Sequence, residues 1–530
     1  MVICCLGGLA RTNANVNNLE KKMINRFRAR FTALLILIFI CGTISLFGQT
    51  NKTNQTKRAP AGKTDAGAKQ TSQVRSDAHV IMISIDGMVP DYYTEPSRLG
   101  LHDPTLVKLK LGGAYAEGVE GVYPTVTYPS HTTLITGVLP AKHGIVQNRI
   151  FEAPTNPQTG AWYWFARDLK SETLWSLAKK EGLSTAAVGW PVTVEADIDY
   201  NVPEVWDPSE KPITGKRMVQ YSTPGLILKA LAGKPVKGDE FRTVVSEYII
   251  KSYRPNLMLI HLVELDDSQH KNGPRTPAAL ETMEREDGYV GRIVEAARSA
   301  GIIDKTTFFI VSDHGFAAID KKFEPNVVLA KEKLITLDAS HKATDWKAAA
   351  WPAGGSCAIV LKDPSDKQTA TKVAAVFSHI ASKNSSPINR VIGRPELDRL
   401  GAIPQATLML EAAPGYSFDE ALSGPEVHSS GKDYLGTHGY LPTRAEMRSS
   451  LIVFGETARV GGKLNLARMI DIGPTAAAVL GFRIPDADGE PVEALLKAGT
   501  VPPPDPDSAK KNRKRTKGRA QKAGSSVKLE

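Results

Sequence analysis

Residues 306–315 read Thr-Thr-Phe-Phe-Ile-Val-Ser-Asp-His-Gly. A run of β-branched and aromatic residues ends abruptly in a carboxylate, an imidazole and a glycine. An unbroken apolar run of this length suits a strand covered on both faces. Four more runs resemble it: VIMISI at 80–85, STAAVGW at 184–190, LMLIHLVEL at 257–265 and SLIVFG at 450–455. Segments with helical apolar spacing lie between them, at 170–181, 276–299 and 470–480. Buried runs alternating with helices predict an α/β layered fold with a mostly parallel central sheet flanked by helices. Residues 355–425 read differently. SCAIVLK, a helix near 366–382 and ATLMLEAAP predict a small α+β insert of β-α-β form.

The two ends of the 530-residue chain carry the positive charge. Residues 1–77 have a net charge of +9 and residues 501–530 of +6, which leaves −5 for residues 78–500. The basic balance therefore belongs to the ends, and no specific nucleic-acid face is expected on the folded part. Arg26, Arg28 and Arg30 precede an uncharged apolar run, Phe31 to Phe47. This is the layout of a secretory signal, and an uncleaved membrane anchor fits the same run. Either places the folded part outside the cytoplasm, in the periplasm or secreted. Residues 1–48 are thus read as signal peptide or anchor, 49–77 as a disordered linker, 78–499 as the folded domain and 500–530 as a disordered basic tail. Three of the four cysteines lie at or before residue 41, so only Cys357 belongs to the folded part and no internal bridge is expected there.

Polar residues with metal-ligand chemistry follow the apolar runs. Asp86-Gly87 follows VIMISI, Asp266 and His270 follow LMLIHLVEL, and Asp313-His314-Gly315 follows TTFFIVS. His438 lies between Thr437 and Gly439, shortly before SLIVFG. In open α/β sheets, sites gather beyond the carboxyl ends of the strands. Taken singly, each Asp reads as a turn former or helix cap, and each His as a structural residue. Together, three carboxylates and three imidazoles suit two Zn²⁺ ions with open positions, the apparatus of phosphate-ester displacement. Residues 123–137, YPTVTYPSHTTLITG, predict a helix from Pro129 to Gly137 with Thr127 just outside its N-terminus. A hydroxyl there meets the positive end of the helix dipole. On this segment alone, a plain N-cap at Thr125 or Thr127 is the simpler reading.

The series Asp86-Gly87, Pro124-Thr125-Val126-Thr127-Tyr128-Pro129, His143-Gly144-Ile145, Asp266…His270…Gly273-Pro274, Asp313-His314-Gly315 and His438-Gly439-Tyr440 resembles the nucleotide pyrophosphatase/phosphodiesterase family of the alkaline phosphatase superfamily. The resemblance runs from about Val80 to Gly489. It implies an alkaline-phosphatase-like fold and two Zn²⁺ per chain. One would sit on Asp86, Asp313, His314 and the Thr127 oxygen, the other on Asp266, His270 and His438. It further implies Thr127 as nucleophile, a phosphothreonine intermediate, and Asn148 as donor to a phosphoryl oxygen. His143 would brace the loop carrying Asn148, and His131 would be structural. The substrate would be a small phosphate ester, a nucleotide or related diester.

The family often has Tyr-x-Glu-x-Pro-Asp leading into the second-site Asp, whereas this chain has His261 at the Tyr position. Tyr128 and His261 are therefore the expected clamp for a base, with nucleotide preference left open. Arg167 and Lys170, in an aromatic stretch, are candidates to meet the extra charge of a monoester. Exposure on the surface is their simpler reading. A phosphomonoesterase or phosphonate hydrolase with the same site is the enzymatic alternative. An inactive envelope or binding protein is the alternative of another class.

Overall fold

The computed structural model describes residues 74–155, 161–209 and 215–503. The signal or anchor at 1–48, most of the linker and most of the basic tail lie outside the described residues. Among the described residues no helix is long and apolar enough to cross a membrane.

An eight-stranded sheet carries the architecture. Its strands in chain order are β1 (His79–Ile85), β2 (Ala114–Ala116), β3 (Thr185–Val188), β4 (Tyr200–Val202), β5 (Leu257–Leu262), β6 (Thr306–Val311), β7 (Leu451–Gly455) and β8 (Gly462–Leu464). Their spatial order is β8-β2-β7-β6-β1-β5-β3-β4. From β6 to β4 every neighbouring pair is parallel. SLIVFG, expected among the parallel runs, instead gives β7, antiparallel to both its neighbours. The continuous apolar runs have a direct cause. Successive side chains of a strand point to opposite faces, and both faces of β1 are covered. Val80 and Met82 enter one core cluster, and Ile81, Ile83 and Ile85 the other. Each such aliphatic side chain contributes roughly 1.5–3 kcal/mol on burial.

Five helices matter for the site: α1 (Thr127–Thr136), α2 (Gly238–Tyr253), α3 (Glu264–Asn272), α4 (Pro277–Ser299) and α5 (Ile472–Val479). In α4, Thr276 caps the N-terminus, Pro277 opens the first turn, and Ala279, Met283, Val290, Ile293 and Ala297 form the buried stripe. Two strands end earlier than their apolar runs. β3 stops at Val188 because Gly189 turns into the left-handed region, with φ of 67°. β5 stops at Leu262 because α3 starts at Glu264. The helix expected at 170–181 spans only Leu174–Lys180, where Thr173 and Ser176 form a reciprocal capping box.

The insert is a sheet of its own. Ala348–Ala353, Ser356–Leu361, Ala406–Ala412 and Ile388–Gly393 lie side by side in that order, every pair antiparallel. The expected strand–helix–strand unit is present in Ser356–Leu361, helix Lys367–Ala381 and Ala406–Ala412. Its two strands run antiparallel, because Ile388–Gly393 and a short helix, Arg394–Leu400, return the chain between them. The sheet begins at Ala348, before the expected boundary.

A third sheet connects these regions. Strand Ala317–Phe323 leaves the Asp313-His314-Gly315 turn and pairs with Gly415–Phe418, Val427–Ser429 and Gly436–Thr437. The register Thr437↔Ala317 carries His438 back to the end of β6.

Candidate active site

Three parallel strands deliver the carboxylates. Asp86 directly follows β1, Asp313 lies two residues beyond β6, and Asp266 sits in the first turn of α3 after β5. The turn at Gly87 brings the first two together. Gly87 N donates to Asp313 Oδ1 at 3.1 Å. Its φ is +70°, and a Cβ there would lie 2.8 Å from Gln269 Nε2. Only glycine fits that position without strain.

Three histidines face these carboxylates in one common arrangement. The Nδ1–H of His314 donates to Gly315 O at 3.1 Å, that of His270 to Gly436 O at 2.8 Å, and that of His438 to Thr125 O at 3.1 Å. Each backbone carbonyl fixes the tautomer and leaves an Nε2 lone pair pointing inward. His314 Nε2 lies 3.2 Å from Asp86 Oδ1 and 3.1 Å from Asp313 Oδ2. His270 Nε2 lies 3.4 Å from Asp266 Oδ2, and His438 Nε2 3.7 Å from Asp266 Oδ1. The donor atoms thus form two clusters, Asp86/Asp313/His314 and Asp266/His270/His438. The clusters adjoin: His314 Nε2 is 4.0 Å from Asp266 Oδ1, and the His314 and His438 rings stack at 3.6 Å.

The electrostatics of this nest call for cations. Burial, then the neighbouring Asp313 and Asp266, hold the Asp86 carboxyl well above the ordinary carboxylate range. Burial and the adjoining imidazoles push His438 well below its usual value, and burial brings His314 down to about 3. Asp86 Oδ1, Asp266 Oδ1, Asp313 Oδ2 and His314 Nε2 are buried with no hydrogen-bond partner. Buried polar atoms are normally satisfied. Four orphans converging from three strand ends fit metal ligation, and mixed Asp/His donors with neutral imidazoles suit zinc-type ions.

Thr127 belongs to the segment that borders this nest, two residues after Thr125, whose carbonyl accepts from His438 Nδ1–H. Expected just outside α1, it is instead the first helical residue, and the N-cap position is Val126, which has no side-chain oxygen to offer. Thr125 is committed elsewhere: its hydroxyl donates to Tyr440 O at 2.8 Å and accepts from Gly439 N at 3.1 Å. The plain capping reading therefore does not hold for Thr125. These bonds tie the start of α1 to the loop of His438. One turn on, His131 Nδ1–H donates to Thr127 O at 2.9 Å, while its Nδ1 lies 3.7 Å from Asp313 Oδ2.

Asn148 Oδ1 accepts from Tyr128 N at 2.8 Å. That bond occupies the amide oxygen and leaves the NH₂ as donor beside the residue following Thr127. His143 braces the approach to this loop. Its Nδ1 accepts from Ile145 N, and its Nε2–H donates to Thr133 Oγ1, both at 3.1 Å.

The four expected substrate contacts have other partners in the structure. Tyr128 and His261 are fully buried and do not form an open clamp. The Tyr128 ring packs on Trp162, and its hydroxyl donates to Glu204 Oε1 at 2.9 Å. His261 bridges Asp86 Oδ2 at 3.0 Å and Glu204 Oε2 at 3.1 Å. The strand position of His261 turns its ring into the core beside the ligands, not outward. Arg167 is exposed, pairs with Glu195 at 2.8 Å and lies over the Phe165 ring. Lys170 is also exposed, and its methylenes lie along Gly144.

Glu204 is the residue that sequence reasoning missed. Burial pushes its carboxyl up, but His261, the Arg242 charge and the Tyr128 hydroxyl together outweigh this and hold it below the ordinary range. It follows β4 in the loop Pro203-Glu204-Val205, and no local pattern marks it.

The sequence model of the family "type I phosphodiesterase / nucleotide pyrophosphatase" matches residues 80–441. Human ectonucleotide pyrophosphatase/phosphodiesterase family member 1 is 27% identical over 247 residues, which cover 44% of this chain and 23% of that protein. Venom phosphodiesterase 2 of Crotalus adamanteus is 25% identical over 263 residues, covering 48% of this chain and 29% of that protein. The matched part is thus under a third of either curated relative. Among solved structures, human ectonucleotide pyrophosphatase/phosphodiesterase 5 superposes with a TM-score of 0.56 at 18% identity, over 79% of this chain and 100% of that one. An inactive form of the murine counterpart, in complex with AMP, gives the same TM-score of 0.56, again at 18% identity over 79% of this chain and 100% of that one. These superpositions establish the shared fold.

Proposed function

The chain belongs to the type I phosphodiesterase / nucleotide pyrophosphatase family, and from that membership we propose that it is a two-zinc hydrolase of phosphodiester or nucleotide pyrophosphate bonds. The observation that carries this reading is the set of unpartnered Asp and His atoms gathered beside the first turn of α1. Asp86, Asp313, His314 and the Thr127 oxygen would hold one ion, and Asp266, His270 and His438 the other. When bound, the two ions supply the positive charge that lowers a hydroxyl pKa and offsets charge on the phosphoryl oxygens.

The chain's own groups do the rest. Thr127 Oγ gives up its proton, which passes through solvent to the departing oxygen, and attacks phosphorus in line. The new P–O bond forms as the bond to the leaving oxygen breaks, and the leaving group takes the electron pair. Asn148, held through its oxygen by Tyr128 N, presents its NH₂ to an equatorial oxygen in the transition state. The positive end of α1 favours the charge that builds there. Water then attacks the phosphothreonine, returns the threonine hydroxyl and releases a phosphate monoester. Two inversions give net retention at phosphorus.

Among the described residues, no Lys or Arg forms an ion pair with Asp86, Asp266 or Asp313. The test is zinc content per chain together with kcat/KM on a nitrophenyl nucleotide ester and on nitrophenyl phosphate. Two zinc ions and a preference for the ester are expected. A strong preference for the monoester would replace this reading by a phosphomonoesterase, and absence of zinc would point to an inactive binding protein. Export, to the periplasm or beyond, is inferred from Arg26, Arg28, Arg30 and the apolar run 31–47. Activity confined to the cytoplasmic fraction would reject it.

A further inference from the structure

Away from the reaction centre, three more carboxylates meet inside the fold. Asp239 lies in the first turn of α2, Glu264 opens α3, and Glu286 lies midway along α4. One oxygen from each lies within 4.8 Å of the other two. Asp239 and Glu286 are fully buried.

Two of the three have partners. Asp239 Oδ2 accepts from Val263 N at 2.7 Å and Glu264 N at 2.6 Å, so it caps α3. Its Oδ1 accepts from Arg242 Nη1 at 2.9 Å. Glu264 Oε1 accepts from Asp239 N at 3.2 Å. Glu286 differs: both of its oxygens are buried with no donor, and the Asp239 carboxylate beside it can pair with it only through a shared proton. It also interrupts the apolar stripe of α4, between Met283 and Val290, where a hydrophobic residue would pack at no electrostatic cost. An unpaired buried carboxylate is strongly unfavourable. Something must compensate it.

The charge balance identifies the compensation. Arg242 also faces Glu204 and Asp267, so with Glu286 ionised its guanidinium offsets at most one of the three carboxylates, and at least two negative charges remain for a divalent cation to neutralise. Every donor is a carboxylate oxygen, with no imidazole or thiolate. Such a set selects hard ions and sets this cluster apart from the mixed Asp/His clusters at the strand ends. We propose that Asp239, Glu264 and Glu286 form a third cation site that takes a hard divalent ion, Ca²⁺ or Mg²⁺. The ion would tie the starts of α2 and α3 to the middle of α4. Because α3 also carries Asp266 and His270, the site would support the helix that presents two ligands of the second cluster. Its competitor for Glu286 is a proton, which burial and the neighbouring Asp239 carboxylate favour when no ion is present.

The test uses the full chain freed of metal on a chelating resin and then reloaded with zinc alone. Ca²⁺ and Mg²⁺ are then titrated separately, with elemental analysis and thermal unfolding as readouts. Wild type is expected to bind one such ion per chain and to unfold at a higher temperature with it. Glu286→Gln keeps the shape and removes the charge. It is expected to bind at least about 10-fold more weakly and to lose the thermal shift, with zinc content unchanged. Glu286→Leu, which fills the stripe, should fold and show no dependence on either ion. The proposal is overturned if wild type binds neither ion at millimolar concentration, or if E286Q binds like wild type. Zinc measured in the same samples separates either result from a failure of the two-zinc reading.

Discussion

The Nε2 of His261 lies 3.0 Å from Asp86 Oδ2, and Asp86 Oδ1 has no hydrogen-bond partner. One oxygen of the carboxylate is thereby fixed while the other is left for an ion. Glu204 holds the far side of His261 and also accepts from the Tyr128 hydroxyl. Partners behind a metal ligand typically cost about 10–100-fold in affinity or activity when removed. Glu204→Gln is expected to weaken zinc binding by that order, read by chelator competition. Tyr128→Phe cuts only the other arm and should keep its zinc. Equal zinc affinity in wild type and E204Q would remove Glu204 from this role.

Thr127→Ala should fold and retain metal. Its turnover of a nitrophenyl nucleotide ester should fall by roughly 10² or more, by analogy with other nucleophile deletions. Near-normal activity would require another nucleophile.

Gly87→Ala should destabilise the fold by about 1–3 kcal/mol, through strain at φ +70° and the approach to Gln269 and Phe316. The variant should also bind zinc more weakly, because Gly87 N orients Asp313. Urea unfolding and metal analysis check both effects.

His143 sets part of the acid limb of stability. Burial brings its folded pKa down to about 3, while the unfolded residue takes up a proton near about 6.5. Between these values the unfolded chain binds more protons. Stability is therefore complete above the unfolded pKa and falls as pH drops toward the folded one, by on the order of 5 kcal/mol over the full window. His143→Asn should flatten the difference between urea midpoints at neutral and acidic pH. An unchanged slope would count against this account.

Arg167→Ala and Lys170→Ala should change kcat/KM by less than about 2-fold on either ester class. Arg167 is engaged by Glu195 at the surface, where such a pair contributes about 1 kcal/mol or less. A selective loss on monoesters would return these side chains to the site.

The sheet was legible because burial on both faces leaves a direct mark. HVIMISI, LMLIHL and TTFFIV are continuous apolar runs for that reason. The direction of β7 left no such mark, since a buried strand reads the same either way round. The insert was legible as helix and strands but not as an antiparallel sheet, because the pairing partners are set by the returning chain at 388–400. The candidate ligand residues stood out as Asp and His placed at strand ends. Glu204 and Glu286 had no comparable signal, since one lies in an irregular loop and the other reads as a surface charge on a helix.

Local composition thus determined the α/β class and the strand-end carboxylates, since each depends on residues near one another in the chain, whereas Thr127 as nucleophile came from the family resemblance. Tertiary structure alone decided that His261 turns inward to Asp86 and that Tyr128 spends its hydroxyl on Glu204. Those outcomes depend on strand register and on which buried atoms find partners, and a chain read one segment at a time carries no record of either.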